Sequence, residues 1–437
     1  MGRANQPRTS SQQFLAEAPR TRGRPSGHFA EDHVRRTGAQ HFHPIGPGLP
    51  RILPPEIGKH WNAVSVDANL PHLDSPVIEP GIEANMVAMA GNDSSDANGT
   101  EQSIVDSLLT ELGLGALDTV PRTYRGRHRN WAGTTASGTE VFVKQIVPGS
   151  SEGDRRLGRL IALESAAWAP VPRPRCLGWN PQSGLLVYEL ITPARDGRQL
   201  ADDGDFDEAT AGRLGRLVAE LHDAAPPPWL DVSSPRLPPL GELDALPLEV
   251  YRNACAAELE LWQLLQRDEA LTAAIRKLCA TPEKVLTPAH CDLRLDQFVI
   301  SGSDVRLIDW DELRRADPAR DIGAFVGEWL FRSTLGIADP GAAPDHGETV
   351  ARGAARFDAT RPLVTSFWRA YREVRREPDA DLGRRSAAFA GWHQFDRLLA
   401  AAEEQSRLLP VERAAAGIGR AVLLDPSRFA TTLGLTA

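Results

Sequence analysis

The spacing of apolar positions changes twice along the chain. Between about residues 118 and 192 they fall in short runs bounded by turn residues, the pattern of strands. VPRTYRG, NWAGTTA and TEVFVKQI read as three strands, with ASG (136–138) as the turn between the last two. A helix is predicted near Arg155 to Ala167. PRCLGWN and LLVYELI follow as two more strands joined by the turn NPQSG. The expectation is a five-stranded antiparallel sheet carrying one helix. Just upstream, SIVDSLLTELGLG is amphipathic and stops at Gly113 and Gly115, which predicts a short helix. From Asp207 the spacing becomes three and four residues, as in EATAGRLGRLVAELHDA, AAELELWQLLQ and EALTAAIRKL. A short β pair, QFVISGSDVRLID, interrupts with SGS as its turn. Helices return from Ile322 in VTSFWRAYREV, AFAGWHQFDRLLAAAEE and PVERAAAGIGRAVL. The fold class is therefore α+β and bilobal, with a small N-lobe over 101–192 and a larger, mostly helical C-lobe over 193–437.

Residues 1–100 break this pattern. They are rich in Pro, Gly, Arg and Ser, hold no sustained period, and read as disordered or as a non-native extension. The methionines are Met1, Met86 and Met89, so a natural start at Met86 or Met89 is the expectation. The net charge of -9 gives no general basic surface for displacing the counterions of nucleic acid. Cys176, Cys255, Cys279 and Cys291 form no CxxC pair, which fits a reducing cytoplasm and offers no zinc site. No apolar run approaches a membrane span and no signal-peptide core opens the chain, so neither a membrane nor export is expected.

Chemistry enters with PAHCDLRLDQFVI. It sets His290, Asp292 and Gln297 at H-x-D-x-x-x-x-Q spacing before a strand. The catalytic loop of protein kinases is H-R-D-L-x-x-x-N, whose Asp takes the proton of the acceptor hydroxyl while the amide binds metal. Gln297 stands one methylene farther from the backbone than the usual Asn. After the hairpin, Asp309 ends the apolar strand of VRLIDWDEL, where a kinase holds Mg2+. Asp311 and Glu312 add charge near the metal or face solvent, and Glu312 reads as facing solvent or the acceptor. In ADPARDIGAF, Asp317-Pro318 starts a turn and Asp321 reads as a structural residue capping the next helix and bracing the catalytic loop. Upstream, alternation in VFVKQI aims Lys144 into the cleft, as the residue that holds the ATP phosphates. Glu164, on the following helix, is its expected ion-pair partner. Gly126 and Asn130 form a turn whose N–H groups could cover the phosphates. Arg127 and Arg129 either touch phosphate or lie exposed. The backbone from Glu189 to Ile191 would bond adenine between the lobes. The segment FRSTLGIADPGAAPDHGETV reads as a flexible insertion near the acceptor. Trp329, Trp368, Tyr371 and Trp392 read as core, with peptide docking as the alternative.

HCDLRLDQ, LIDWDE, DPARD and VFVK, with LVAELHDA between the lobes, resemble the aminoglycoside phosphotransferase and choline kinase superfamily, over about residues 105–400. A narrower resemblance, through RNWAGTTASGTEVFVK, PRCLGWN, HCDLRLDQF, DPARDIGAFVGEWL and ERAAAGIGRAVLLDP, is to kinase subunits of class V (lexapeptide-type) lanthipeptide synthetases. The resemblance implies a protein-kinase-like fold using ATP and Mg2+, with Asp292 as base, Gln297 and Asp309 as metal ligands, and Lys144 positioned by Glu164. It implies phosphorylation of Ser and Thr in a ribosomal precursor peptide. A separate lyase subunit, similar to HopA1 effectors, then eliminates the phosphate, and a cyclase subunit closes the rings. Two other readings stand beside it. One is a small-molecule kinase acting on an antibiotic or amino alcohol, to which an acidic pocket around Asp311 and Glu312 would be suited. The other is a catalytically dead scaffold.

Overall fold

A computed structural model describes residues 95–436 apart from 119–121, 123–127, 167, 236, 281–284, 337–345, 377–378 and 404. Of 95–101 and 346–350 it describes the backbone alone. The chain divides after Arg51, and the unit Met1–Arg51 lies outside the described residues. So do Gly126, Arg127, the rest of the N-terminal extension up to residue 94, and the centre of the 331–350 insertion.

The first helix, α1 (Ser95–Glu111), begins upstream of the expected Ser103 and ends where Gly113 takes a φ of 75°. Its Val105, Leu108 and Leu109 share one face at helical spacing and are buried. They pack against β1 (Arg129–Thr134), β2 (Glu140–Gln145) and the later strand β4 through Trp131, Val141, Val143, Leu185 and Val187. After β2 comes α2 (Ser151–Ser165), capped by Ser150 Oγ, which accepts from Gly153 N at 3.0 Å. Then follow β3 (Cys176–Asn180) and β4 (Leu185–Glu189). The sheet order is β1-β2-β4-β3, with antiparallel pairings throughout.

Strand alternation gives this sheet two different faces. One packs on α1. On the other, Asn130, Lys144, Leu186 and Trp179 lie in one row across the four strands, Lys144 directly opposite Asn130 and Leu186. That face looks toward α2 and the cleft. Among the described residues the sheet has four strands where the sequence reading expected five. Among the described residues the first expected strand, VPRTYRG, makes only an isolated bridge between Arg122 and Ala132.

The C-lobe begins with β5 (Arg195–Asp196), α3 (Gly197–Asp202) and α4 (Glu208–Asp223). The helices α5 (Leu248–Asn253), α6 (Ala256–Arg267) and α7 (Glu269–Cys279) follow. Two small β elements then carry the expected chemistry. β6 (Thr287–Ala289) pairs with β9 (Arg314–Ala316), and between them lies the hairpin β7 (Phe298–Ser301) and β8 (Asp304–Leu307), joined by β5. The remaining helices are α8 (Ala319–Leu335), α9 (His346–Val374), α10 (Leu382–Ala402), α11 (Pro410–Leu424) and α12 (Pro426–Thr432). α9 packs on α4, and α10 lies between α8 and α11. A Cβ on Gly323 would meet Phe389 Cβ at 2.3 Å, and one on Gly327 would meet His393 Cβ at 2.5 Å. The absence of a side chain at both lets α8 approach α10 closely. Trp329, Trp368, Tyr371 and Trp392 are all buried, the core role read from the sequence.

Candidate active site

Two turns bring the expected acids together. After β6 the chain passes through His290 and Cys291 to Asp292, and after β8 it passes through Ile308 to Asp309. Cys291 has a φ of 66° and Asp309 a φ of 62°, the two non-glycine residues with left-handed backbone among those described. Such backbone is strained for residues bearing a Cβ and clusters where chemistry demands a particular direction.

The strain is held by buried polar contacts. Asp321, fully buried on α8, accepts the main-chain N–H of His290 and of Cys291, each at 2.7 Å. Its Oδ2 also lies 3.0 Å from His222 Nε2, while His222 Nδ1 lies 2.9 Å from the Tyr371 hydroxyl. Burial alone would raise the Asp321 carboxyl, but the bonds and charges from His222 and His290 override it and hold the carboxyl low. Asp321 thus braces the loop as expected, from within α8. Its helix starts at the cap residue Pro318. His290 Nε2 is 2.8 Å from the Ile308 carbonyl, which accepts only, so the proton sits on Nε2. Ile308 N in turn donates to the Gln297 carbonyl at 3.0 Å. The loop bearing Asp292 and the strand end bearing Asp309 are therefore fastened to each other.

Asp292 is clamped by Arg294, whose Nε lies 2.9 Å from Oδ1 and Nη2 3.4 Å from Oδ2. Burial would lower the Arg294 guanidinium, yet the charges of Asp292, Asp296, Asp309 and Glu328 hold it above its ordinary range. One guanidinium thus feels both the expected base and the expected metal ligand.

From the other lobe, Lys144 is buried and ion-pairs with Asp309, and its Nζ lies 3.4 Å from Asp311 Oδ1. Burial would depress the ammonium, but Asp309 and Asp311 raise it. The carboxyl pair divides its burden unequally. Burial and the neighbouring Asp311 push Asp309 up, against the pull of Lys144. Asp311 is driven well down, because Lys144, His128 and Asp309 outweigh its burial. His128 Nε2 stands 3.1 Å from Asp311 Oδ2.

Several expectations change here. Glu164 does not reach Lys144; it pairs with Arg173 at 2.5 Å. Lys144 faces two acids across the cleft, so the carboxylate on α2 is left to the nearer arginine. Asp311 is 4% exposed and does not face solvent. Glu312 is half-buried and binds Arg156 at 2.5 Å and Arg314 at 2.6 Å. Asn130 sits opposite Lys144, but its Nδ2 donates to the His128 carbonyl at 3.3 Å. At the hinge, Glu189 N donates to Arg175 O at 2.9 Å and Leu190 N to Glu140 O at 3.1 Å. Neither N–H remains for adenine, whereas Ile191 N–H makes no such bond among the described residues.

Asp309 fits a divalent cation: its carboxyl is half-exposed, pressed against a second acid and neutralised by an ammonium. Gln297 is 5% exposed, and its side chain ends in an amide. Its carbonyl is the kind of hard oxygen such an ion takes. Among the described residues no three His, Cys, Asp or Glu side chains form a metal group on their own. Mg2+ is commonly held by one or two carboxylates together with phosphate. His128, Arg156 and Arg159 escaped the sequence reading, and His222 in LVAELHDA and Arg294 in HCDLRLDQ were given no role there.

The model of the phosphotransferase enzyme family (APH) matches residues 125–356, more than half of the chain. No curated protein matches the chain. Solved structures do. A choline/ethanolamine kinase family protein from Mesorhizobium loti shares 15% identity, covering 79% of this chain and 100% of that one, with a TM-score of 0.45. An amicoumacin kinase solved in complex with AMP-PNP and Ca2+ shares 14%, covering 75% and 96%, with a TM-score of 0.45. An aminoglycoside phosphotransferase from Streptomyces rimosus shares 18%, covering 68% and 97%, with a TM-score of 0.42.

Proposed function

The chain belongs to the phosphotransferase enzyme family and is an ATP-dependent phosphotransferase with a hydroxyl acceptor, and on that premise we propose that its acceptors are Ser and Thr hydroxyls of a ribosomal precursor peptide. The reaction is the kinase step of lanthipeptide dehydration. Asp292 orients the hydroxyl and takes its proton as the new O–P bond forms. The bond from the γ-phosphorus to the bridging oxygen breaks, and ADP leaves. Lys144, held between Asp309 and Asp311, would present its ammonium to the phosphates. Asp309 and Gln297 would hold Mg2+, which supplies charge neutralisation on the phosphates.

The observation that favours a peptide over a polycationic sugar is the neutralisation of Asp311 and Glu312. Asp311 is matched by Lys144 and His128, and Glu312 by Arg156 and Arg314. A pocket recognising several ammonium groups needs uncommitted carboxylates, and these two are committed. The resemblance to class V kinase subunits supplies the rest of the reading. The phosphopeptide would pass to a HopA1-like lyase subunit and then to a cyclase subunit. No nucleic acid or membrane takes part, and the reaction belongs to the cytoplasm. No helix among the described residues is long and apolar enough to cross a membrane.

Mass spectrometry of a candidate precursor peptide incubated with the protein and ATP tests this. The expected product carries one phosphate per modified Ser or Thr. An unmodified peptide alongside a phosphorylated aminoglycoside or amino alcohol would overturn it.

A further inference from the structure

Two arginines on α2 reach into the C-lobe. Arg156 and Arg159 lie about one helical turn apart, and their side chains are only 7% and 8% exposed. Arg159 Nε donates to the main-chain oxygen of Asp311 at 2.8 Å, and Nη1 donates to Asp231 Oδ2 at 2.9 Å. Arg156 Nη2 binds Glu312 Oε1 at 2.5 Å. The far side of that carboxylate binds Arg314 Nη2 at 2.6 Å. Asp231 is itself pinned, its Oδ1 accepting from Ser233 N at 2.7 Å and its carbonyl from Arg315 N at 2.8 Å.

These contacts tie α2, the 310–312 turn, the 231–234 segment and β9 into one charged junction. The turn it grips begins immediately after Asp309. The acid on α2 that could have reached Lys144, Glu164, is turned away toward Arg173. The small lobe's helix is therefore joined to the acid end of the Lys144–Asp309 pair, where a link to the lysine end had been expected.

We propose that Arg159, supported by Arg156, is a positioning residue that sets the direction of the Asp309 carboxylate for Mg2+·ATP. The proposal rests on the phosphotransferase reading and adds to it. A planar guanidinium satisfies a carbonyl and a carboxylate at fixed angles at once, which an ammonium cannot. Buried and desolvated, the bond to the Asp311 carbonyl resists rotation of the Asp311–Glu312 peptide and so fixes the short turn that leads away from Asp309. Groups that orient metal ligands this way change metal affinity or activity by about 10–100-fold when removed.

The test compares Arg159→Met with Arg173→Met. Each breaks a buried ion pair of α2, but only the first touches the 310–312 turn. Calorimetric titration of AMP-PNP at a series of Mg2+ concentrations, on the full chain, reports metal-dependent binding without turnover. For Arg159→Met the Mg2+ concentration at half-saturation should rise at least about tenfold. Arg173→Met should lower Tm and leave that concentration unchanged. Arg159→Lys should fall between Arg159→Met and the unaltered protein. Should Arg159→Met fail to fold, Arg159→Lys decides, and an unaltered Mg2+ requirement there overturns the proposal. So does an equal shift in Arg173→Met, which would mark a merely structural role. Failure of the unaltered protein to bind AMP-PNP with Mg2+ would count against the phosphotransferase reading itself.

Discussion

The main-chain N–H of Cys291 donates to Asp321 Oδ1 at 2.7 Å, and this bond holds a residue with a φ of 66° immediately before Asp292. The second oxygen of Asp321 holds His290 in the same way, so one buried carboxylate sets the course of the backbone into the base. The loop's direction is thus an electrostatic property of α8, and α8 is placed by its close approach to α10.

Asp321→Ala would leave two buried N–H groups and the His222 ring without their acceptor. Loss of a buried charged partner costs about 3–5 kcal/mol. Chemical denaturation should show a loss of that size. The folded fraction should also turn over poorly, because Cys291 is free to relax its backbone. A variant with unaltered turnover would show that the brace has no bearing on Asp292.

Lys144→Met removes the ammonium that Asp309 and Asp311 share. A buried carboxyl at Asp311 and a half-exposed one at Asp309 would then face each other with less compensation. We expect kcat/KM for ATP to fall by about 10²–10³, with tighter retention of a proton by the pair. Steady-state kinetics over ATP concentration checks the first expectation.

Glu164→Gln leaves the ATP site untouched, because Glu164 serves Arg173. The variant should lose thermal stability while keeping its KM for ATP. Phosphorylation assays beside thermal melts separate the two. A large rise in KM would return Glu164 to the role the sequence suggested.

The acid limb of stability should depend on Glu328. Burial alone would raise its carboxyl, but the His393 bond and the charges of His393, Arg397 and Arg294 hold it at about 2, against an ordinary 4.5. Its folded value lies below its unfolded one. The stability it contributes is therefore present above pH 4.5 and is lost as pH falls toward about 2. The depression corresponds to on the order of 3 kcal/mol. Denaturant midpoints between those pH values should flatten in Glu328→Gln.

What could be read in advance was whatever depended on local spacing. Asp309 at the end of an apolar strand, Asp292 two residues after His290, and Lys144 amid alternating Val and Phe all follow from periods of two and from turn residues. Partners distant in sequence could not be read this way. Helix phase places Glu164 on a face of α2 but does not say that Arg173 lies nearer than Lys144. Nothing near Asp311 announces that His128 will meet it from the other lobe. Nothing in the helix spacing singles out Arg156 and Arg159, yet their carboxylate and carbonyl partners bury them.

The most direct test of the account measures transfer of labelled γ-phosphate from ATP to a Ser- and Thr-bearing precursor peptide by the unaltered protein, by Asp292→Ala and by Asp309→Ala. The account predicts phosphopeptide from the first and none detectable from either variant, all three retaining the fold by circular dichroism. Full transfer by both variants would contradict it.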